Sequence, residues 1–153
     1  MLEKLDGKIF LILNPHTMFG FTPNFLLLAG AALAGVVIGY LWYAPFLFGK
    51  LWMKEKGLTE KDTQDCNMPK AASMQFALNV VVGYVLAGML ALTFTASLGD
   101  ALLLTFWLWL GFNLTREVTT TLWAKNPLKV ALIDSAGSLA TMLVMGAILF
   151  QWG

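Results

Sequence analysis

Three ionisable side chains, Arg116, Glu117 and Asp134, stand in stretches that are otherwise apolar. Charged groups in such stretches are expensive to place in a bilayer and usually face the protein interior or water. Arg116 and Glu117 lie eight and seven residues before Ala124, and Asp134 lies seven after Pro127. Between helix ends at those two positions, a rise of about 1.5 Å per residue puts all three roughly 10–12 Å from the same end. Tyr40 and Asn79 fall at that depth on two further helices. Asn113 shares a face of ~100° with Arg116 and Glu117, and Ser138 stands one turn from Asp134. The spacing therefore predicts a buried polar layer of Tyr40, Asn79, Asn113, Arg116, Glu117, Asp134 and Ser138. Neighbours in sequence do not face one another on a helix, so Arg116 is expected to pair across the hairpin with Asp134 and not with Glu117. If all three ionise, one negative charge is left over. Either an acid stays protonated through desolvation or a small cation is held there. Such a layer serves a proton- or cation-coupled transporter or channel-like component. The alternative is a network that only fixes helix packing in an accessory or scaffold subunit.

Other chemistry finds little support. His16 has no acid or thiol at ligand spacing, and Cys66 is the only cysteine, so neither a disulfide nor a thiolate metal cage is expected. There is no glycine-rich phosphate loop and no Ser/His/Asp set. The Asn113-Leu114-Thr115 sequon lies inside a predicted helix, out of a transferase's reach. No metal, no cofactor and no nucleic-acid partner is expected, and catalysis is the least supported class.

The elements that must hold these residues follow from composition. Of 153 residues 58% are hydrophobic and 12% charged, and the mean hydropathy is +0.71. Soluble domains carry roughly 25% charged residues. No charge lies between Lys8 and Lys50, or between Lys70 and Asp100. A bilayer crossing needs about 20 mostly apolar residues. Four crossings are predicted, over about 25–48, 71–98, 101–124 and 127–152, forming an all-α integral membrane four-helix bundle. Leu98-Gly99-Asp100 and Lys125-Asn126-Pro127 read as tight connections. Pro45 should kink or stop the first helix near Tyr43 and send Phe46–Trp52 along the membrane surface.

Residues 1–24 hold an apolar run too short to span, interrupted by Asn14-Pro15, and are expected to form an interfacial arm. The loop 49–70 contains Lys50, Lys54, Lys56, Lys61 and Lys70, with Lys125 and Lys129 at the same end; the other end has Lys4 and Lys8. Lysine-rich loops stay in the cytoplasm, so both termini are expected on the non-cytoplasmic side. Trp42, Tyr43, Trp52, Trp123 and Trp152 suit interfacial anchoring. Trp107 and Trp109 cannot both face the same neighbour. Small residues at four-residue spacing, Ala31, Gly35 and Gly39 on the first helix and Gly83 and Ala87 on the second, offer grooves for close helix contact. Packing within one protomer is the favoured use, and a homo-oligomer in the lipid bilayer is the other.

The run LWYAPFLFGKLWM (41–53), followed by GLT (57–59), resembles the DUF1761 family of small membrane proteins, whose function is unassigned. NPLKVALIDSA (126–136) and LVMGAILFQW (143–152) are similar to that family's last helix. The resemblance covers roughly 25–60 and 101–152, and the second helix adds only composition. It implies the membrane class and, for a bacterial member, the inner membrane. It transfers no site residue.

Overall fold

The structure is a computed structural model that describes residues 24–59, 61–62 and 67–153. The predicted arm apart from Asn24, with Lys4, Lys8 and His16, lies outside the described residues, as does Cys66. Five helices carry the fold: α1 (Phe25–Trp42), α2 (Gly49–Lys56), α3 (Met68–Leu92), α4 (Leu98–Ala124) and α5 (Leu128–Trp152). All but α2 are long and apolar enough to cross a membrane. No strand is present among the described residues.

Polar caps set the helix starts. The Asn24 side chain accepts from the Leu26 and Leu27 amides at the head of α1. Asn67 does the same for the Lys70 amide, with Pro69 in the first turn of α3, where its missing N–H is harmless. Ser97 accepts from the Asp100 amide and donates its hydroxyl to the Asp100 carboxylate. Leu98-Gly99-Asp100 is thus the first turn of α4 and not a connection. The chain reverses one step earlier, through Phe94 at φ 50°. At the other end of α4, Lys125 takes φ 55° and closes the helix in the left-handed region.

The first crossing ends at Trp42, short of the expected Phe48. Pro45 lacks the N–H a continuing helix would use, and residues 43–48 fold into a tight turn in which the Ala44 carbonyl accepts from Leu47 and Gly49. Gly49 starts α2 because a Cβ there would collide with the Tyr43 carbonyl oxygen. Inside α4, Trp109–Leu114 widens into a π-helical segment.

Antiparallel neighbours are fixed by side-chain contacts. On α1, Gly35 meets Asn79 of α3 and both Met145 and Thr141 of α5; Gly137 of α5 lies against the Trp42 indole. Thr105 of α4 abuts Gly146 of α5. In each case a Cβ on the glycine would come within 2.5–2.8 Å of a side-chain atom, so the backbones approach as closely as the missing side chain allows. The apolar core is Leu28, Ala31, Leu86, Ala87, Leu90, Ala101, Met145 and Leu149. These residues belong to the end of the bundle away from the lysines. Ala31, Gly35, Gly83 and Ala87 are all buried inside the protomer, whereas Gly39 has nothing within 4 Å of where its Cβ would stand.

Candidate functional site

At the lysine-rich end the chain gathers its polar contacts around the first turns of α5. Asp134 accepts a hydrogen bond from the Tyr43 hydroxyl at 2.6 Å and another from the Trp52 indole Nε1 at 2.8 Å. The neighbouring Ile133 carbonyl accepts from Trp42 Nε1 at 3.0 Å. From α4, Trp109 Nε1 donates to the Ser135 carbonyl at 3.0 Å and to Ser138 Oγ at 2.9 Å. A charged acceptor shared by two neutral donors forms shorter and stronger bonds than a neutral one. The rings support each other: Tyr43 and Trp52 meet edge to face at 5.5 Å, and Trp42 and Phe48 lie tilted by 34° at 4.6 Å. Lys56 Nζ sits 4.3 Å over the Trp52 ring. An exposed ion pair, Lys129 Nζ to Glu55 Oε1 at 2.8 Å, ties α2 to α5 once more.

Tyr43 lies just past the end of α1. Burial, the hydrogen bond to Asp134, and the negative charge of Asp134 and then Glu117 push its phenol well above the usual tyrosine range. The hydroxyl therefore remains a donor throughout the physiological range.

This arrangement corrects the polar layer expected from spacing. Arg116 does not meet Asp134. Its side chain is 80% exposed, and its one ion-pair contact among the described residues is its neighbour Glu117 at 3.9 Å, beyond hydrogen-bond reach. Tyr40 is 70% exposed and stands apart from Asp134. Asn79 is buried, donates to the Ala32 carbonyl at 3.2 Å and accepts from Gln75 at 2.9 Å. Because Gly35 touches Asn79 and also Thr141 and Met145, Asn79 lies level with those residues of α5. That level is at least seven residues, or about 10 Å, from Asp134. Asn113 reaches Met142 Sδ at 3.2 Å, on the same level as Asn79. Ser138 accepts from Trp109 between the two levels. The polar groups are strung along α5 as separate ties, so no single buried layer forms. Glu117 borders a cavity of about 170 Å³ between α4 and α5, with Thr121, Leu128 and Ser135 among its lining residues.

Sequence reasoning missed the donors. Trp42, Tyr43 and Trp52 read as interfacial anchors, yet each aims its N–H or O–H at α5. A buried indole or phenol generally needs a partner, and the nearest acid in a neighbouring apolar helix is the signal that was available. Trp109 is buried and Trp107 exposed, as their two-residue separation requires. No group of three or more potential metal ligands occurs among the described residues.

Four packed helices, each apolar and long enough to cross a bilayer, define a small multi-pass α-helical membrane protein. The model of one protein family, the "Protein of unknown function (DUF1761)", matches residues 26–150. The chain belongs to the DUF1761 family. Two of the stretches that carry the resemblance, 41–53 and 126–136, meet at Asp134. No curated protein and no solved structure is significantly similar to it.

Proposed function

We propose that this protein is a structural or accessory component of the membrane whose polar side chains fix helix packing, and that its lysine-rich end faces the cytoplasm. The observation that carries the reading is the commitment of Asp134 to Tyr43 and Trp52. A carrier needs an acid free to exchange partners with its cargo. Here the acid joins the turn after α1 and the surface helix α2 to α5, while Asn79 and Ser138 are held in bonds of their own. The Lys distribution supports the orientation, with Lys50, Lys54, Lys56, Lys61, Lys70, Lys125 and Lys129 at one end. Extensive apolar surface on α1, α3 and α4 suits lipid or a larger membrane partner.

The test combines three measurements on the full chain. Purification from native membranes in a mild detergent should retain a stoichiometric membrane partner. The isolated protein in proteoliposomes should conduct no protons above empty vesicles. A cysteine replacing Lys56, in a Cys66→Ser background, should react with an impermeant maleimide from the cytoplasmic side only. Ion- or proton-dependent flux that disappears in Asp134→Asn would overturn the structural reading, and labelling from the outside would overturn the orientation.

A further inference from the structure

Within α4, the Arg116 guanidinium has no hydrogen bond or close ion pair among the described residues. It lies eight residues before Ala124, about 12 Å along the helix from its end. No acceptor comes within hydrogen-bonding distance of its guanidinium, and Glu117 Oε1 is 3.9 Å away on a side chain only 24% exposed, turned toward α5. A guanidinium carries five N–H donors arranged in a fork. Facing acyl chains, those donors must find an anion or rise toward the headgroups.

The same flank of α4 supplies a second unpartnered donor. Trp123 follows Arg116 by seven residues, which at 100° per residue leaves the two ~20° apart on the helix surface. Its side chain is 85% exposed, and no hydrogen bond holds its indole N–H. Tryptophan so placed marks the headgroup level. The intervening hydroxyls are not available as donors: Thr119, Thr120 and Thr121 bond to the carbonyls of Thr115, Arg116 and Glu117 within the helix. Below Arg116 the exposed ring of Phe112 offers an apolar surface. From the bilayer interior toward the headgroups, the flank therefore presents an aromatic ring, a guanidinium and an indole N–H. That order matches an acyl chain followed by a phosphate.

We propose that Arg116 and Trp123 form a binding site for the phosphate of a phospholipid in the leaflet on the lysine-rich side. The phosphodiester provides a single negative charge and two oxygens that a guanidinium can grip in parallel. Lys125, which caps α4, adds positive charge at the same end. This inference does not depend on the functional reading above, since it concerns the outer flank of α4 and leaves the Asp134 contacts untouched.

Native mass spectrometry of the full chain, released from detergent after exposure to dioleoyl phosphatidylglycerol, tests the site. The parent should retain one lipid that Arg116→Gln reduces at least fivefold. Arg116→Lys should recover part of it, and Trp123→Phe should weaken it less than Arg116→Gln does. Inorganic phosphate at millimolar concentration should not displace the lipid. Thermal melts in lipid-free detergent establish that each variant is folded, and Trp123→Phe remains informative if Arg116→Gln does not fold. Equal lipid retention by the parent and the folded variants overturns the proposal. Displacement by inorganic phosphate, or a dimer in the parent that Arg116→Gln abolishes without loss of lipid, also overturns it.

Discussion

Replacing Asp134 by alanine removes the acceptor of two hydrogen bonds at once, one of 2.6 Å from Tyr43 and one of 2.8 Å from Trp52. Bonds to a charged acceptor contribute roughly 1.5–3 kcal/mol each. Tyr43 is 41% exposed, so water replaces part of its bond, and its share falls below that range, to about 1 kcal/mol. Trp52 is better covered. The expected loss for Asp134→Ala is about 3 kcal/mol, read from unfolding in a titration with sodium dodecyl sulfate. Tyr43→Phe should cost about 1 kcal/mol and Trp52→Phe about 2 kcal/mol, the ring stacking being kept in both. The decisive comparison is a double-mutant cycle. If the phenol acts through Asp134, Tyr43→Phe should cost almost nothing in the Asp134→Ala background. An equal cost in both backgrounds would refute the shared-acceptor geometry. It would mean that the tyrosine stabilises the fold through its ring alone.

Three further outcomes follow from the same structure. Gly137→Ala would place a Cβ 2.8 Å from the Trp42 indole and push it away from the Ile133 carbonyl, at a cost of about 1–3 kcal/mol in the same unfolding assay. Gly39→Ala, with nothing within 4 Å, should be neutral or slightly stabilising, in line with a helix preference of about 1 kcal/mol for Ala over Gly. In an alkaline absorbance titration at a wavelength specific for tyrosinate, Tyr43→Phe should form as much tyrosinate as the parent up to about pH 11, because the native Tyr43 phenol is pushed above the usual value near 10. The sign is that of a raised group: its stabilising contribution is complete below the unfolded value near 10 and is lost only as pH rises through the higher folded value. A smaller tyrosinate signal in Tyr43→Phe over that range would show that the phenol ionises normally.

The crossings and their antiparallel order were legible in where charge is missing, because hydrocarbon thickness leaves few ways to arrange four long apolar runs. The pairing of Asp134 was not. Counting residues inward from helix ends treats all side chains as equally short, whereas an indole or a guanidinium extends over more than a turn of helix. Trp109 bonds to Ser135 and Ser138 while Asn113 reaches Met142, so side-chain length and direction blur the depth that spacing assigns. The expected Arg116–Asp134 pair failed on rotation: Glu117 borders the same cavity as Ser135, so the depth agrees, but the Arg116 side chain points outward. Local α-helical periodicity does not reveal the widened segment at Trp109–Leu114, and angles computed across it are wrong. The small residues fared differently. Gly35 and Gly83 lie in packed contacts that four-residue spacing suggests, and Gly39 continues the pattern past the point where a neighbour exists.

That widened segment also separates two tasks along one rod. A π turn arises when a helix accommodates one residue more than regular winding would. Deleting a single residue there would let the segment return to regular winding with everything after it still heading the same way relative to Trp109, whereas the same deletion in a regular turn would swing it by ~100°. The heading of the Arg116–Trp123 flank is thus buffered against a change of one residue at this segment and at no other place along α4. Lineages that lost that one residue here would keep the same flank pointed at the same neighbour.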